Sequence, residues 1–343
     1  MYRPIQFPAP SQSIAHGYFW VRAVLGVLTA QEIQTILPST EESYRIWVRR
    51  KEKLTKSPDL KERIQCDIQP LPEGGSSILW VGNRHKARKV VLFLHGGGYV
   101  MPSQVGHFEC VWNTFILSGV ESGTEVAVAF LQYSLAPTWK APVQLRQAAS
   151  ALSEILNAGF SAKDIVIGGD SAGGNLTMQL LHHIVDPHAE ACRISLQEPL
   201  AAAILVSPWL SSDFSSSSFI ENETNDMLSK SIMSSLKADT WVREEESSSD
   251  GQSSWIEPLD WKGAWLNKVD SAVRKIHITV GEREVLSDQG KLMAKTITSL
   301  QTGVEVSLES DPKAAHDLIV AEGMLEQIGE ATIRMKQWFK GLL

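Results

Sequence analysis

The stretch 165–185, IVIGGDSAGGNLTMQLLHHIV, constrains this chain more than any other. It opens on Ile165, Val166 and Ile167, a β-branched run suited to a strand covered on both faces of a parallel sheet. It closes on Leu176, Leu180 and Ile184, which recur every four residues and share one face of a helix. Between them stand Gly169, Asp170, Ser171, Ala172 and Gly173. A strand that turns this sharply into a helix forces Ser171 into a strained backbone conformation and leaves its hydroxyl exposed above the sheet. The flanking glycines make room for the turn, because a Cβ at either position would crowd strand or helix. This is the G-x-S-x-G pattern of a nucleophile elbow; the plainer alternative is a Gly-Ser turn closing a βα unit.

A second glycine cluster follows another apolar run. Lys89–Leu94, KVVLFL, leads directly into His95, Gly96, Gly97, Gly98 and Tyr99. Consecutive glycines let bare backbone N–H groups approach a ligand, and an HGGG loop is one half of an oxyanion hole. The donors of such a hole are Gly97, Gly98 and Ala172. His95, at a strand end with its loop, reads as a brace rather than a base.

Strand-like runs also fall near 64–68, 78–81, 125–132, 201–206, 275–280 and 304–308, with helical patterns near 143–156 and 287–300. The β-α-β-α rhythm predicts an α/β fold with a mostly parallel central sheet and helices on both faces. Residues 1–60 read as helical and peripheral, with a helix start at Ser39 and a stripe of Tyr44, Trp47 and Val48. Residues 209–270 break the rhythm: serine-rich and acidic loops, 211–218 and 244–250, alternate with Met227, Leu228, Met233 and several tryptophans. The expected organisation is N-terminal cap helices over 1–60 and a core over 61–343 carrying a helical cap insertion at about 209–270. Seven of the eleven tryptophans (20, 47, 209, 241, 255, 261 and 265) fall in these two regions. They either wall a pocket for a bulky apolar or aromatic substrate or pack cap against core.

A formal charge of −7 with no basic cluster speaks against a nucleic-acid surface. Cys66, Cys110 and Cys192 are widely spaced, with neither metal-ligand spacing nor a disulfide framework, which points to a reducing, cytoplasmic setting. The N-terminus lacks a secretory pattern. Residues 14–30 are apolar but too short to span a bilayer comfortably. They read as an amphipathic helix packed on the protein, with contact to a membrane surface the less favoured alternative. Oligomeric state is open, a dimer included.

A serine hydroxyl is a poor nucleophile without a base, and an imidazole base needs a carboxylate to hold its tautomer. With an elbow the chain order is Ser, then acid, then His. His316, between the last predicted strand and a helix, is the candidate base. Glu284, three residues after the strand-end Gly281, is the favoured acid. Asp288 is the alternative, four residues on inside the next helix, where it would instead cap or brace the loop. Glu282 is a remoter option, because a strand-end side chain can face the wrong side. His182 and His183 read as ordinary helix residues.

These motifs, with Tyr133-x-Leu135-Ala136-Pro137, Gly169-Asp170-Ser171-Ala172-Gly173-Gly174-Asn175 and Glu284-x-Leu286-x-Asp288, resemble the hormone-sensitive-lipase-like branch of the α/β-hydrolase fold. The resemblance runs from about 90 to 320 and leans toward fungal members by Tyr133–Pro137 and by Ser207-Pro208-Trp209. It implies carboxylesterase-type hydrolysis of a small-molecule ester, without metal or nucleotide, and for fungal relatives acetyl or acyl esters of secondary metabolites. Two positions depart from the family. Glu284 stands where Asp is usual, which lengthens the acid, and Thr138 replaces the Glu that usually follows Leu-Ala-Pro and braces the site. The same triad also serves amidases, thioesterases and acyl transferases or cyclases. A non-catalytic ligand receptor, in which loss of a triad member is expected, fits less well.

Overall fold

The computed structural model describes residues 12–240, 255–260 and 264–343. Its frame is one sheet of eight strands: β1 (Asp67–Pro70), β2 (Ser77–Val81), β3 (Lys89–Leu94), β4 (Val126–Gln132), β5 (Ile165–Asp170), β6 (Ala202–Val206), β7 (Lys275–Gly281) and β8 (Glu305–Asp311). The spatial order is β1-β2-β4-β3-β5-β6-β7-β8. β2 pairs antiparallel with both β1 and β4, and every other pairing is parallel.

Alternation along the strands divides the interior into two apolar layers. Val90, Leu92 and Leu94 enter one layer with Ile167 and Leu205, while Val91 and Phe93 enter the other with Val166 and Ile204. Because helices cover both faces, β3 and β5 are buried along their whole length. The six consecutive parallel strands from β4 to β8 all end at one edge, so the loops that follow them gather there.

The connection from β3 to β4 carries elements the sequence reading did not name: a helix at Val105–Val111, a π-helical turn at Trp112–Ile116 and a helix at Leu117–Ser122. Its buried residues Phe108, Val111, Trp112, Phe115 and Ile116 have helical spacing and fill the second layer. β1 also lies later than the run at 64–68. Ile64 is buried, but from the turn that ends the helix Pro58–Lys61, and pairing begins at Asp67 opposite Trp80.

Helices Gln12–Val27, Ala30–Ile36 and Thr40–Leu54 precede the sheet. Ser39 caps the last of them in a reciprocal box with Glu42, and Tyr44, Trp47 and Val48 form its buried face. Tyr44 donates its hydroxyl to the carbonyl of Trp80 at 2.5 Å, tying this helix to β2. The helix Gln12–Val27 lies against helices Lys230–Thr240 and Leu318–Met324. Arg22 holds it there by donating to the carbonyls of Glu223 and Asp226 at 2.7 and 2.6 Å. Among the described residues, no helix is long and apolar enough to cross a membrane.

Candidate active site

The loops after β3, β5, β7 and β8 meet at the shared strand edge. Ser171 follows β5 directly, with φ 51° and ψ −114°. Few non-glycine residues tolerate this region, and the surroundings enforce it. The Ser171 N–H donates to the carbonyl of Val206 at 2.8 Å, and the Ser171 carbonyl accepts from Trp209 and Asn175, both at 3.1 Å. The flanking glycines are fixed by packing. A Cβ on Gly169 would lie 2.1 Å from the Leu94 carbonyl oxygen, and one on Gly173 would lie 1.8 Å from the same atom. The elbow is wedged against the end of β3 with no space for a side chain.

His316, on the loop after β8, places Nε2 2.9 Å from Ser171 Oγ. Its Nδ1 faces Glu284 Oε2 at 3.5 Å, somewhat beyond the usual hydrogen-bond range. Neither carboxylate oxygen of Glu284 has a hydrogen-bond partner among the described residues. The Glu284 carboxylate therefore points at Nδ1 but is loosely engaged; such bonds in ligand-free sites often tighten only in the reacting complex. The acid loop rests on the histidine loop: Glu282 and Arg283 donate their N–H groups to the carbonyls of Asp311 and Ala314, each at 2.9 Å. Glu282 itself turns away, accepting from Ser310 Oγ at 3.0 Å.

Asp288 is not brought to His316. Its carboxylate accepts the N–H of Ser218 at 2.9 Å, at the start of the helix Ser217–Asn222. Asn222 at the far end of that helix donates to the carbonyls of Glu282 and Glu284 at 3.0 and 3.1 Å. Asp226 then accepts the Val285 N–H at 2.7 Å. The segment 217–226 is thus latched along the whole acid loop.

Gly97 and Gly98 take φ values of 97° and 61°, conformations open to glycine. Their N–H groups, and that of Ala172, make no hydrogen bond among the described residues. Asp170 steadies the loop by accepting the Gly96 N–H at 3.0 Å. His95 lies beneath it, fully buried, stacked on Tyr133 with ring centres 4.2 Å apart, and its Nδ1 is 2.8 Å from the Gly96 carbonyl. Burial drives the His95 imidazole down to about 3, so the ring stays neutral.

A bridge across the glycine loop comes from the N-terminal helices rather than from position 138. Gln34 donates to the carbonyls of Val100 and Ala136, both at 2.7 Å, joining the glycine loop to the Leu135-Ala136-Pro137 turn. Asn175 supplies a second tie: it accepts the Tyr99 hydroxyl at 2.8 Å and donates to the carbonyls of Trp209 and Ile256, both at 2.7 Å.

Above Ser171 lies a cavity of about 360 Å³, bounded by the helix Gln12–Val27, the glycine loop and the helices Lys230–Thr240 and Leu318–Met324. Its walls are chiefly methionine and leucine: Met101, Met227, Met233, Met324, Leu25 and Leu236 among them. Of the described tryptophans, Trp209 alone lines it. Trp47 packs on Phe108 and Trp112, Trp255 and Trp265 stack on His182, and Trp20 is exposed. Trp241, Trp261 and the loop at 244–250 lie outside the described residues. Of the two readings of the tryptophans, packing describes Trp47, Trp255 and Trp265, and the cavity wall is instead a pliable thioether and aliphatic one.

Two acidic groups at the site carried no motif. Asp317, in the left-handed region at φ 54°, brings Oδ2 3.3 Å from His316 Nε2. Burial raises its carboxyl well above the ordinary range. Burial likewise pushes Asp226 up to about 6. Burial alone would lower His316, but the negative charge of Asp317, Glu284 and Asp226 overrides it and carries the imidazole to about 10.

A family model for the α/β-hydrolase fold matches residues 91–320. An α/β hydrolase of Acanthamoeba polyphaga mimivirus is 28% identical over 226 residues, covering 64% of this chain and 58% of that protein. An ethyl acetate hydrolase of Pseudomonas putida is 26% identical over 256 residues, covering 72% and 71%. Among solved structures, an esterase from the bacterial hormone-sensitive lipase family superposes with a TM-score of 0.66 at 21% identity. That match covers 98% of this chain and 99% of the other, and a likeness of that degree establishes the fold.

Proposed function

Because this chain belongs to the α/β-hydrolase family, we propose that it is a carboxylesterase-type serine hydrolase of the hormone-sensitive-lipase-like branch, acting on small, largely apolar esters. The observation that carries this reading is the 2.9 Å contact of Ser171 Oγ with His316 Nε2 beside uncommitted backbone N–H groups. Neutral His316 accepts the hydroxyl proton as Oγ attacks the ester carbonyl. The resulting oxyanion lies among the N–H groups of Gly97, Gly98 and Ala172; loss of one such donor typically costs on the order of a hundred- to a thousand-fold in turnover. Glu284, on Nδ1, holds the tautomer and stabilises the imidazolium. The imidazolium then protonates the leaving alcohol, an acyl-serine remains, and water activated by His316 releases the acid.

The apolar walls favour uncharged acyl and alcohol groups, and among the described residues no lysine or arginine lines the cavity. An acetyl or other short acyl group is in keeping with the activity named for the Pseudomonas putida relative. Mass spectrometry after a fluorophosphonate probe tests the nucleophile: a single adduct on Ser171 is expected, with loss of p-nitrophenyl butyrate hydrolysis in Ser171→Ala. An adduct elsewhere, or a Ser171→Ala protein of undiminished activity, overturns the reading. Amide, thioester and added-alcohol acceptor assays separate hydrolysis of esters from the related acyl chemistries.

A further inference from the structure

A second cavity, of about 220 Å³, lies among the helices Thr40–Leu54, Val105–Val111 and Leu318–Met324. Trp47, Leu54, Val105 and Met324 form its apolar side. Two of its three helices also border the catalytic cavity. His107, Val320 and Ala321 line the catalytic one, while Gly106, Glu109 and Gly323 line the second. Among the described residues, Met324 alone lines both.

The reason lies in how the two helices cross. A Cβ on Gly323 would stand 2.2 Å from the Gly106 carbonyl oxygen, and one on Gly106 would stand 2.8 Å from the Met324 backbone nitrogen. Backbone therefore meets backbone at the crossing and leaves no opening there. The Met324 side chain lies over the same point: a Cβ on Gly106 would be 2.4 Å from its Sδ and 2.5 Å from its Cγ. The group shared by the two spaces is thus an unbranched thioether, which a substitution can shorten without moving either helix. Met324 is 48% exposed, so shortening it opens no hole in the packed core.

The charges of the second cavity are matched to one another. Lys51 Nζ is 2.7 Å from Glu109 Oε1, Trp47 donates its Nε1–H to Glu109 Oε2 at 2.9 Å, and Arg50 pairs with Glu326. A charged chain end would have to break one of these pairs, whereas a hydrocarbon end lies against Trp47, Leu54 and Val105 without doing so.

We propose that Met324 is the partition that sets the chain length this enzyme accepts: a linear chain of the bound ester stops at its thioether, and the second cavity is the space a longer uncharged chain enters once that side chain is shortened. The proposal rests on the esterase reading above and gives its preference for small esters a residue.

The test uses two substrate series in wild type and variants. One compares p-nitrophenyl dodecanoate with p-nitrophenyl butyrate, and the other compares decyl butyrate with propyl butyrate. Met324→Ala is expected to raise the long-to-short ratio of kcat/KM by roughly ten-fold or more in at least one series. Met324→Leu, of similar volume, should keep the ratio near that of the wild type. Met233→Ala removes a thioether from the catalytic cavity without reaching the second, and should raise the ratio much less. A gain confined to the first series seats the acyl chain beside Met324, and one confined to the second seats the alcohol there. Calorimetric titration of 1-decanol into Ser171→Ala, with and without Met324→Ala, reads the partition without turnover, and the double variant is expected to bind several-fold more tightly. A ratio unmoved in both series, an equal gain in Met233→Ala, or equal decanol affinity overturns the partition. Failure of fluorophosphonate labelling at Ser171 instead removes the esterase reading, while the titration still decides the partition.

Discussion

The two ends of the Ser171–His316–Glu284 array are built in different ways. At the nucleophile end, every constraint is local or lies in the sheet. Gly169 and Gly173 meet the Leu94 carbonyl, Ser171 bonds to Val206, and Oγ is 2.9 Å from His316. At the acid end the contact is 3.5 Å, and the loop is positioned by Asn222 and Asp226 of the segment between β6 and β7. A backbone wedge cannot be detuned without breaking the fold. A loop latched by side chains can be, so the Glu284 loop is the adjustable end of the array.

The largest effect should come from the acid itself. Glu284→Gln leaves the volume but removes the charge that selects the tautomer, and kcat for p-nitrophenyl butyrate should fall roughly 10³–10⁴-fold. Asp288→Asn should leave kcat within about ten-fold while lowering the melting temperature, because Asp288 bonds Ser218 and not His316. The opposite ranking would exchange the two roles.

A smaller effect concerns pH. His316 must be neutral to act as a base, so kcat/KM rises with pH through its pKa, which neighbouring carboxylates hold near 10. Asp317→Asn removes the nearest negative charge and should move the acid limb of the profile to lower pH by about 1–3 units. An upward shift, or none, would show that Asp317 does not act on His316 electrostatically.

The smallest effect is on stability. The folded pKa of Asp226 lies above its ordinary value of 3.8, at about 6, so its contribution to stability is present at low pH and is lost as pH rises through 6. Asp226→Asn keeps an acceptor for Val285 and removes the buried charge. Its melting temperature should exceed that of the wild type by a few degrees at pH 8, with the gap falling to about half at pH 5 and closing below the ordinary Asp pKa of 3.8. A lower melting temperature at pH 8 would make the charge, rather than the acceptor, the working part of the latch.

Legibility followed the same division. The elbow and the glycine loop could be read because glycine is demanded by backbone crowding, and this leaves a mark at fixed positions in the chain. The helical spacing at 108, 111, 112, 115 and 116 was equally available, yet it lies in a connection that carries no motif. Asp317 and Asp226 could not be read. A lone aspartate in a loop becomes a site residue only when folding buries it beside His316 or Glu284. Tyr18 is more hidden still, nearly three hundred positions before His316, with which it lines one cavity.

The strand–helix rhythm, the mostly parallel sheet and the family were determined by the sequence alone, since apolar runs of strand length and glycine-only turns have few other ways to fold; the spatial order of the strands was not. The tertiary structure decided the cavity. Its methionine and leucine walls and the bridge from Gln34 arise where distant helices dock over the strand edge. Packing of that kind depends on the shapes of both surfaces at once, which no periodicity within a single segment records.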